Sequence, residues 1–310
     1  MAEGGVVGPT SRVLKNIREA AQQARLKVGN AETGRDFNKK LHERNLASLK
    51  PLHRGVENAI MTQPGVNAEL SRNWLSKEQL PPAIESTYFK IKEEEVQVRD
   101  VLVRRWRAAQ GETCCRHCHQ EPETLDHILS GCTALSFTNY KDRHDPVARQ
   151  VAKVILEKFG VEWKYEYWTT PLPKSFTLVR DGKRGELLWD PKVKTVNKME
   201  HNHPDMILRL PEGPVAIIEF TVCRDLSVVE RSKQKEERYQ QLAADWALKY
   251  KTHPTVLPIV VGTRGVVPER TLKSLKTLKE WGFDVEMSRI QKAAVWGSVT
   301  LIWKTLYSSG

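Results

Sequence analysis

Apolar residues recur at helical spacing in the first half of the chain and at strand spacing in the second half. Two segments, DFNKKLHERNLASLKPL and IKEEEVQVRDVLVRRWRAAQ, place apolar residues at i, i+3 and i+4, which predicts two helices. The segment KDRHDPVARQVAKVILEKFG predicts a third helix, with Asp145 as its N-cap and Pro146 in its first turn. The first half is therefore expected to be mainly helical.

After Gly160 the pattern changes to short apolar runs separated by proline and glycine. The runs WKYEYW, SFTLVR and GELLWD predict strands, while HPDMILRL, PEGP and VAIIEFTV predict a hairpin whose second strand is buried. A long amphipathic helix, VERSKQKEERYQQLAADWALKY, a buried strand, TVLPIVVGTRG, and a further helix, PERTLKSLKTLKEWG, follow. This order of elements predicts an α/β fold with a mixed sheet.

The charge of the chain narrows the choice of partner. Its 310 residues carry a formal net charge of +11, which favours a polyanionic partner, nucleic acid first and an acidic membrane surface second. A basic protein without such a partner is the plainer alternative. The sequence contains no run of about 18 apolar residues, so no membrane span is predicted. The first residues, MAEGGVVGPT, lack the apolar stretch of a secretory signal.

Four of the five cysteines are clustered, which favours metal ligation in a reducing compartment over a secreted disulfide framework. The spacing C-x2-C-x8-H-x4-C is formed by Cys115, Cys118, His127 and Cys132. Three thiolates and one imidazole make a closed tetrahedral zinc site, so the expected zinc is structural. A buried apolar cysteine cluster beside an unrelated histidine is the alternative. The competing donors nearby are Cys114, His117 and His119.

Two acids and a lysine form the second candidate site. Asp205 follows Pro204 and opens a predicted strand, and Glu219 lies within the next strand. On a hairpin these two carboxylates can meet at one end of the sheet, where Lys235 of the following helix can reach them. Carboxylates that hold Mg²⁺ beside a cation suit phosphodiester cleavage. A structural ion pair of Glu219 with Lys235 or with Arg224 is the alternative.

Taken together, these motifs resemble the C-terminal region of site-specific non-LTR retrotransposon proteins that carry a restriction-like endonuclease. The resemblance extends from about residue 85 to the C-terminus, with the motifs in the order of the family. The matching residues are Glu123-Thr124-Leu125, His127-Ile128-Leu129, Arg143-His144-Asp145, Pro204-Asp205, Glu219, Lys235, Arg238-Tyr239, Gly262, Arg264 and Gly265.

The resemblance implies a PD-(D/E)xK core that nicks double-stranded DNA to prime reverse transcription. It implies Asp205 and Glu219 as Mg²⁺ ligands and Lys235 as the cation that stabilises the transition state. The strand position expected to hold a lysine is Thr221, and the family tolerates a lysine moved to the helix. Lys233 is the second choice for that lysine. The supporting positions implied are Tyr239, Arg143 and His144.

The expected organisation is a basic tail, a helical nucleic-acid-binding arm, a CCHC zinc knuckle and a restriction-like nuclease domain. Their predicted bounds are 1–35, 36–110, 111–135 and 136–310. The residues expected to contact nucleic acid are Arg104, Arg105, Arg107, Arg143 and His144. For the first three of these, a solvated helix face is the alternative.

The expected function is Mg²⁺-dependent nicking of double-stranded DNA in the nucleus, with zinc as the structural metal and no membrane partner. No (F/Y)-x-D-D polymerase signature occurs in the sequence, and the further candidate partners are a reverse transcriptase in trans and the RNA of the element. The alternative is a catalytically inactive, zinc-containing protein that binds DNA or RNA and derives from a retroelement.

Overall fold

The computed structural model describes residues 54–106, 113–136, 139–165, 170–211 and 213–307, with the backbone alone for 54–56 and 104–106. The chain divides into two compact units, Met1–Ala59 and Ile60–Gly310. Both candidate sites lie in the second unit. The predicted helix DFNKKLHERNLASLKPL falls outside the described residues. No helix within the described ranges is long and apolar enough to span a bilayer.

The described part of the chain contains eight α-helices and one sheet. The helices are α1 (Arg54–Met61), α2 (Ala68–Asn73), α3 (Pro82–Lys92), α4 (Arg99–Trp106), α5 (Asn139–Lys158), α6 (Val228–Tyr250), α7 (Glu269–Glu280) and α8 (Met287–Ile302). The prediction of one continuous helix from Ile91 onward is wrong, because α3 ends at Lys92 and a separate helix, α4, begins at Arg99. Glu94 has a positive φ of 55°, and Val96 and Val98 are fully buried in the connection. Burial of these two valines thus overrides the helical spacing.

Helix α5 begins earlier than predicted. It starts at Asn139 and contains Pro146 in its interior, so the predicted N-cap at Asp145 is wrong. The extra turns are held by tertiary contacts: the hydroxyl of Tyr140 accepts a hydrogen bond from the backbone N–H of Cys132 at 2.9 Å, and Arg143 is buried. These contacts offset the backbone hydrogen bond that a proline removes.

The sheet has the order β1-β2-β3-β4-β5. The strands are β1 (Ser175–Arg180), β2 (Lys183–Trp189), β3 (Met206–Arg209), β4 (Val215–Cys223) and β5 (Thr255–Gly262). The first four pair antiparallel and β5 pairs parallel to β4, so the predicted mixed sheet is confirmed. The run WKYEYW forms no strand where it is described, at residues 163–165.

The pairing of β4 explains where the acidic site lies. Strand β3 covers β4 only up to Ile218, opposite Met206, whereas β5 pairs with β4 as far as Cys223. One edge of β4 is therefore left open beyond Ile218. Both candidate carboxylates lie at this point, Asp205 just before β3 and Glu219 just after Ile218, the last residue of β4 that pairs with β3.

Three apolar clusters pack the fold. One lies between one sheet face and α5, α7 and α8, and another between the opposite face and α6. The third joins α3, the carboxyl half of α8 and the cysteine-rich segment, including Cys115 and Cys132. The cysteine-rich segment thus shares a core with helices that are distant in sequence.

Candidate functional site

The side chains of the predicted cysteine–histidine array converge. Their ligand atoms all lie within 4.8 Å of one another, with the sulfur atoms of Cys115 and Cys132 3.8 Å apart. The Cys118 sulfur lies 3.3 Å from Nε2 of His127. Two thiolates that share one zinc at about 2.3 Å lie about 3.8 Å apart in a tetrahedron. The group can therefore hold a metal such as zinc, and it includes Cys115 rather than Cys114.

Neighbouring groups prepare this cluster for a metal. The Nδ1 atom of His127 lies 3.2 Å from a carboxylate oxygen of Glu121, an arrangement that fixes the ring and leaves Nε2 for the metal. Hydrogen bonds from the backbone N–H groups of Gln120 and Glu121 lower the pKa of Cys118 to about 6. A thiolate is the form that binds metal, so this turn favours the ligand state.

Arg143 connects the cysteine–histidine cluster to the sheet. Its Nη1 donates to the backbone oxygen of Leu129 at 2.6 Å, within the turn that carries His127, and its Nη2 donates to that of Val222 on β4 at 3.2 Å. The side chain is 1% exposed. The two terminal nitrogens of Arg143 are therefore buried and donate to carbonyl groups, which joins the two elements, and its predicted contact with nucleic acid stays a prediction.

The predicted acids and lysine also converge. The backbone N–H of Asp205 donates to Oε1 of Glu219 at 3.0 Å, and Oδ2 of Asp205 accepts from the backbone N–H of Phe220 at 2.8 Å. The ammonium of Lys235, on α6, donates to Oε2 of Glu219 at 2.7 Å. Each carboxylate is held by backbone groups at the open edge of β4, so the geometry follows from the end of β3 pairing.

The environment pushes the pKa values of the two acids apart. Burial, together with the nearby charge of Asp205, raises the pKa of Glu219 to about 7 even though Lys235 opposes the shift. Burial acts in the same direction on Asp205, but its hydrogen bond with His144 and the charges of His144 and Lys235 prevail and lower the pKa of Asp205 to about 2. A second cation would suit Glu219, which is completely buried.

His144, which was predicted to contact nucleic acid, lies inside this site. Its Nε2 is 3.2 Å from Oδ2 of Asp205 and its Nδ1 is 3.0 Å from Oδ1 of Asp145. Burial acts to lower the pKa of His144, yet the hydrogen bonds to Asp145 and Asp205 raise it to about 10. The ring is therefore an imidazolium that donates to both carboxylates and orients Asp205.

Of the other predicted residues, the structure describes the side chains of Tyr239 and Lys233. The hydroxyl of Tyr239 donates to the backbone oxygen of His203 at 3.1 Å, and the Lys235 nitrogen is 5.8 Å from its ring centroid. Lys233 is 57% exposed and pairs with Glu237 at 3.7 Å. Three predicted nucleic-acid contacts remain without a described side chain: Arg104 and Arg105, on the α4 backbone, and Arg107, outside the described residues.

A cleft of about 400 Å³ opens over the acids between α5, β2 and the free edge of β4. It gives the Asp205 carboxylate access to solvent, and this side chain is 25% exposed. The residues that line the cleft include Tyr140, Lys141, His144, Asp190, Asp205, Phe220, Thr221 and Lys235.

The sequence did not predict a buried ionic network beside the cysteine–histidine cluster. Arg264 donates to Oδ2 of Asp225 at 2.9 Å and to Oδ1 of Asp126, the residue before the ligand His127, at 3.0 Å. Arg224 donates to the other oxygen of Asp126 at 2.7 Å. Gly262 is required beside it, since a Cβ there would lie 2.0 Å from Asp225. The sequence motif around Gly262 and Arg264 thus has a structural role.

Comparisons of the chain with protein-family models and with curated proteins find no match.

Proposed function

We propose that this chain is a magnesium-dependent endonuclease with a restriction-endonuclease-like core that nicks double-stranded DNA. One observation carries the proposal. Asp205, Glu219 and Lys235, separated by 14 and 16 residues, come within hydrogen-bonding distance at one cleft. Such a set of two acids and an amine, with the two acid pKa values moved in opposite directions, is typical of a catalytic site.

Asp205 is the residue best placed to hold Mg²⁺. Its Oδ2 accepts hydrogen bonds from Phe220 and His144, while its Oδ1 accepts none from any residue in the described ranges. Mg²⁺ usually takes one or two carboxylates and completes its shell with water and phosphate oxygens. When bound, Mg²⁺ would polarise the phosphate and lower the pKa of an attacking water.

Glu219 can serve as a second Mg²⁺ ligand once Lys235 no longer pairs with it. In the free protein the ammonium of Lys235 neutralises Glu219 at 2.7 Å, and the lysine side chain is 22% exposed at the wall of the cleft. A phosphodiester in the cleft offers the lysine a second anion. Lys235 would then stabilise the charge that develops on the phosphate, and the freed oxygen of Glu219 would be available to hold Mg²⁺ together with Asp205.

The surrounding residues position these groups. The imidazolium of His144 holds one oxygen of Asp205, so the other oxygen is directed to the cleft. Tyr239 fixes the backbone of His203, two residues before Asp205. The net charge of +11 supports DNA as the substrate, and phosphate contacts would make binding salt-dependent. The resemblance to non-LTR retrotransposon proteins supports a nuclear location, element RNA as a further ligand and a reverse transcriptase supplied in trans.

A second candidate function is a catalytically inactive protein that binds DNA or RNA. The observation in its favour is that Lys235 and His144 already pair with Glu219 and Asp205, so the acids form a neutralised cluster. In that case the cysteine–histidine cluster and the positive charge would serve binding alone.

Nicking of supercoiled plasmid separates the two functions. With Mg²⁺, we expect the wild type to convert supercoiled plasmid to open circles, Asp205→Asn to lose this activity, and Asp284→Asn to retain it. Asp284 is the matched control because it is an exposed acid whose one ion pair among the described residues is with Lys279. Equal nicking by all three proteins would reject the catalytic assignment. DNA binding without nicking by the wild type would favour the binding protein.

A further inference from the structure

A second, smaller pocket adjoins the catalytic cleft on the side of α6. Its volume is about 200 Å³. It shares Tyr140, Thr221, Val222 and Lys235 with the cleft over Asp205. The two cavities therefore meet along the free edge of β4, with Lys235 at their boundary.

The pocket is strongly basic, and the described residues that line it include no acid. Its remaining residues are Ser130, Arg143, Cys223, Arg231, Gln234 and Arg238. On α6, Arg231, Lys235 and Arg238 recur at i, i+4 and i+7, so they form one stripe on the helix. The stripe rises about 10 Å along the helix axis, a length that spans two or three nucleotides at about 3.4 Å each.

The glutamates of α6 do not pair with Arg231 or Arg238, the two arginines of this helix that line the pocket. Glu237 pairs with Lys233 and Glu236 pairs with Arg270, whereas Glu230 accepts from the amide of Gln234. The hydrogen bond that Arg231 donates to a described residue goes to Gln234, at 3.2 Å. Within the described ranges Arg231 and Arg238 thus form no ion pair, although lysines on the same helix do.

Two donors in the lining are buried without an acceptor. The hydroxyl of Ser130 and the Nε of Arg143 have no hydrogen-bond partner among the described residues, and Arg143 is 1% exposed. A buried polar group without a partner is costly unless a ligand or water satisfies it. Unmatched donors and unpaired cations around one cavity indicate an anionic ligand.

We propose that this pocket is a phosphate subsite that binds a phosphodiester of the DNA strand next to the one held in the catalytic cleft. The proposal rests on the proposed nuclease function for the identity of the strand. Arg231 and Arg238 would contact the phosphate oxygens from α6, Ser130 would donate its hydroxyl, and Lys235 would lie between this phosphate and the scissile one. Such a subsite fixes the register of the strand over Asp205 without reading its sequence.

The test compares two double variants of the full, zinc-loaded chain. Arg231→Gln/Arg238→Gln removes the unpaired cations, and Lys233→Gln/Lys249→Gln removes two positive charges from the same helix. Lys233 is paired with Glu237, and Lys249 donates to the backbone oxygen of Lys194. Binding to a duplex of random sequence is measured with Ca²⁺ in place of Mg²⁺, over a range of salt concentrations.

We expect the arginine variant to reduce the slope of log K against log salt by about 1, because the pocket holds one phosphate and each lost phosphate contact removes about 0.9. The lysine control should leave the slope near the wild-type value. In a further duplex, one phosphate beside the nicked position is replaced by a neutral methylphosphonate. The wild type should bind this duplex more weakly than the unmodified one, whereas the arginine variant should bind both equally. Equal slopes for the two variants would overturn the proposal, as would an arginine variant that loses single-stranded RNA binding but keeps duplex binding.

These outcomes remain distinct from those of the nicking assay. A wild type that does not nick plasmid, together with a reduced slope for the arginine variant, would reject the nuclease function and retain the phosphate site. A wild type that nicks, together with equal slopes, would retain the nuclease and reject the phosphate site.

Discussion

Glu123 should control the stability of the cysteine–histidine segment. This carboxylate is fully buried. Its Oε1 accepts from the backbone N–H of Arg99 at 3.0 Å and from Nη2 of Arg116 at 2.8 Å. Its Oε2 accepts from the backbone N–H and the Nε of Arg116 at 3.0 and 2.9 Å. Glu123 thus joins the turn between Cys115 and Cys118 to the start of α4.

Glu123→Gln replaces one acceptor oxygen by an NH2 donor, which would face two other donors. At least two charge-assisted hydrogen bonds are lost, each worth about 1.5–3 kcal/mol, while the neutral amide is less costly to bury. We therefore expect the free energy of unfolding to fall by about 2–4 kcal/mol. If opening of the segment limits metal release, zinc transfer to a chelator should accelerate about 30- to 1000-fold.

The pH dependence gives an independent check. Burial acts to raise the pKa of Glu123, but the hydrogen bonds from Arg116 and Arg99 prevail and hold it below its usual value. Its stabilisation is therefore present above the unfolded pKa of about 4.3 and is lost as the pH falls through the lower folded value. The difference between wild type and Glu123→Gln should stay constant from about pH 6 to 8.

The measurements are urea unfolding and chelator competition, with Glu237→Gln as the control. Glu237 is 64% exposed and pairs with Lys233, and such surface pairs contribute about 0–1 kcal/mol. Zinc release and unfolding midpoints of Glu123→Gln that match those of the control would refute the reasoning.

Three further predictions concern the connections around the site. Gly262→Ala should lower the free energy of unfolding by about 1–3 kcal/mol, because its Cβ would lie 2.0 Å from Oδ1 of Asp225; an unchanged urea midpoint would contradict this. Arg143→Met should cost about 2–3 kcal/mol, since it leaves the backbone oxygens of Leu129 and Val222 without their donor; a change below about 0.5 kcal/mol would show that the link is unimportant. Removal of zinc should speed amide hydrogen exchange within residues 113–136 while β4 and β5 stay protected, and purified protein without one zinc per chain would count against the metal site.

Local patterns in the sequence predicted the strands well. The runs SFTLVR and VAIIEFTV correspond to β1 and to all but the last residue of β4, because turn residues bound them and the buried faces of the sheet demand apolar side chains. The metal-type cluster was predictable because ligand spacing is a local feature. The restriction-like character of the core stays a prediction.

Features that depend on distant contacts were not predictable. Helix α8 was missed because it packs on two cores at once, Ile290 in one and Val299 in the other, so it lacks a clear polar face. The pairs of Arg264 with Asp225 and Asp126 span 39 and 138 residues and leave no periodic signal. The same holds for Arg143, whose charge suggested a surface position although its side chain is buried.

The central claim is that Asp205 and Glu219 share one divalent cation at the open edge of β4. Binding of Mn²⁺, a paramagnetic substitute for Mg²⁺, can be measured by electron paramagnetic resonance on the zinc-loaded chain with an uncleavable phosphorothioate duplex. The account predicts one bound Mn²⁺ per chain in the wild type and in Asp284→Asn, and loss of that site in Asp205→Asn. Mn²⁺ binding that is equal in Asp205→Asn and the wild type would contradict it.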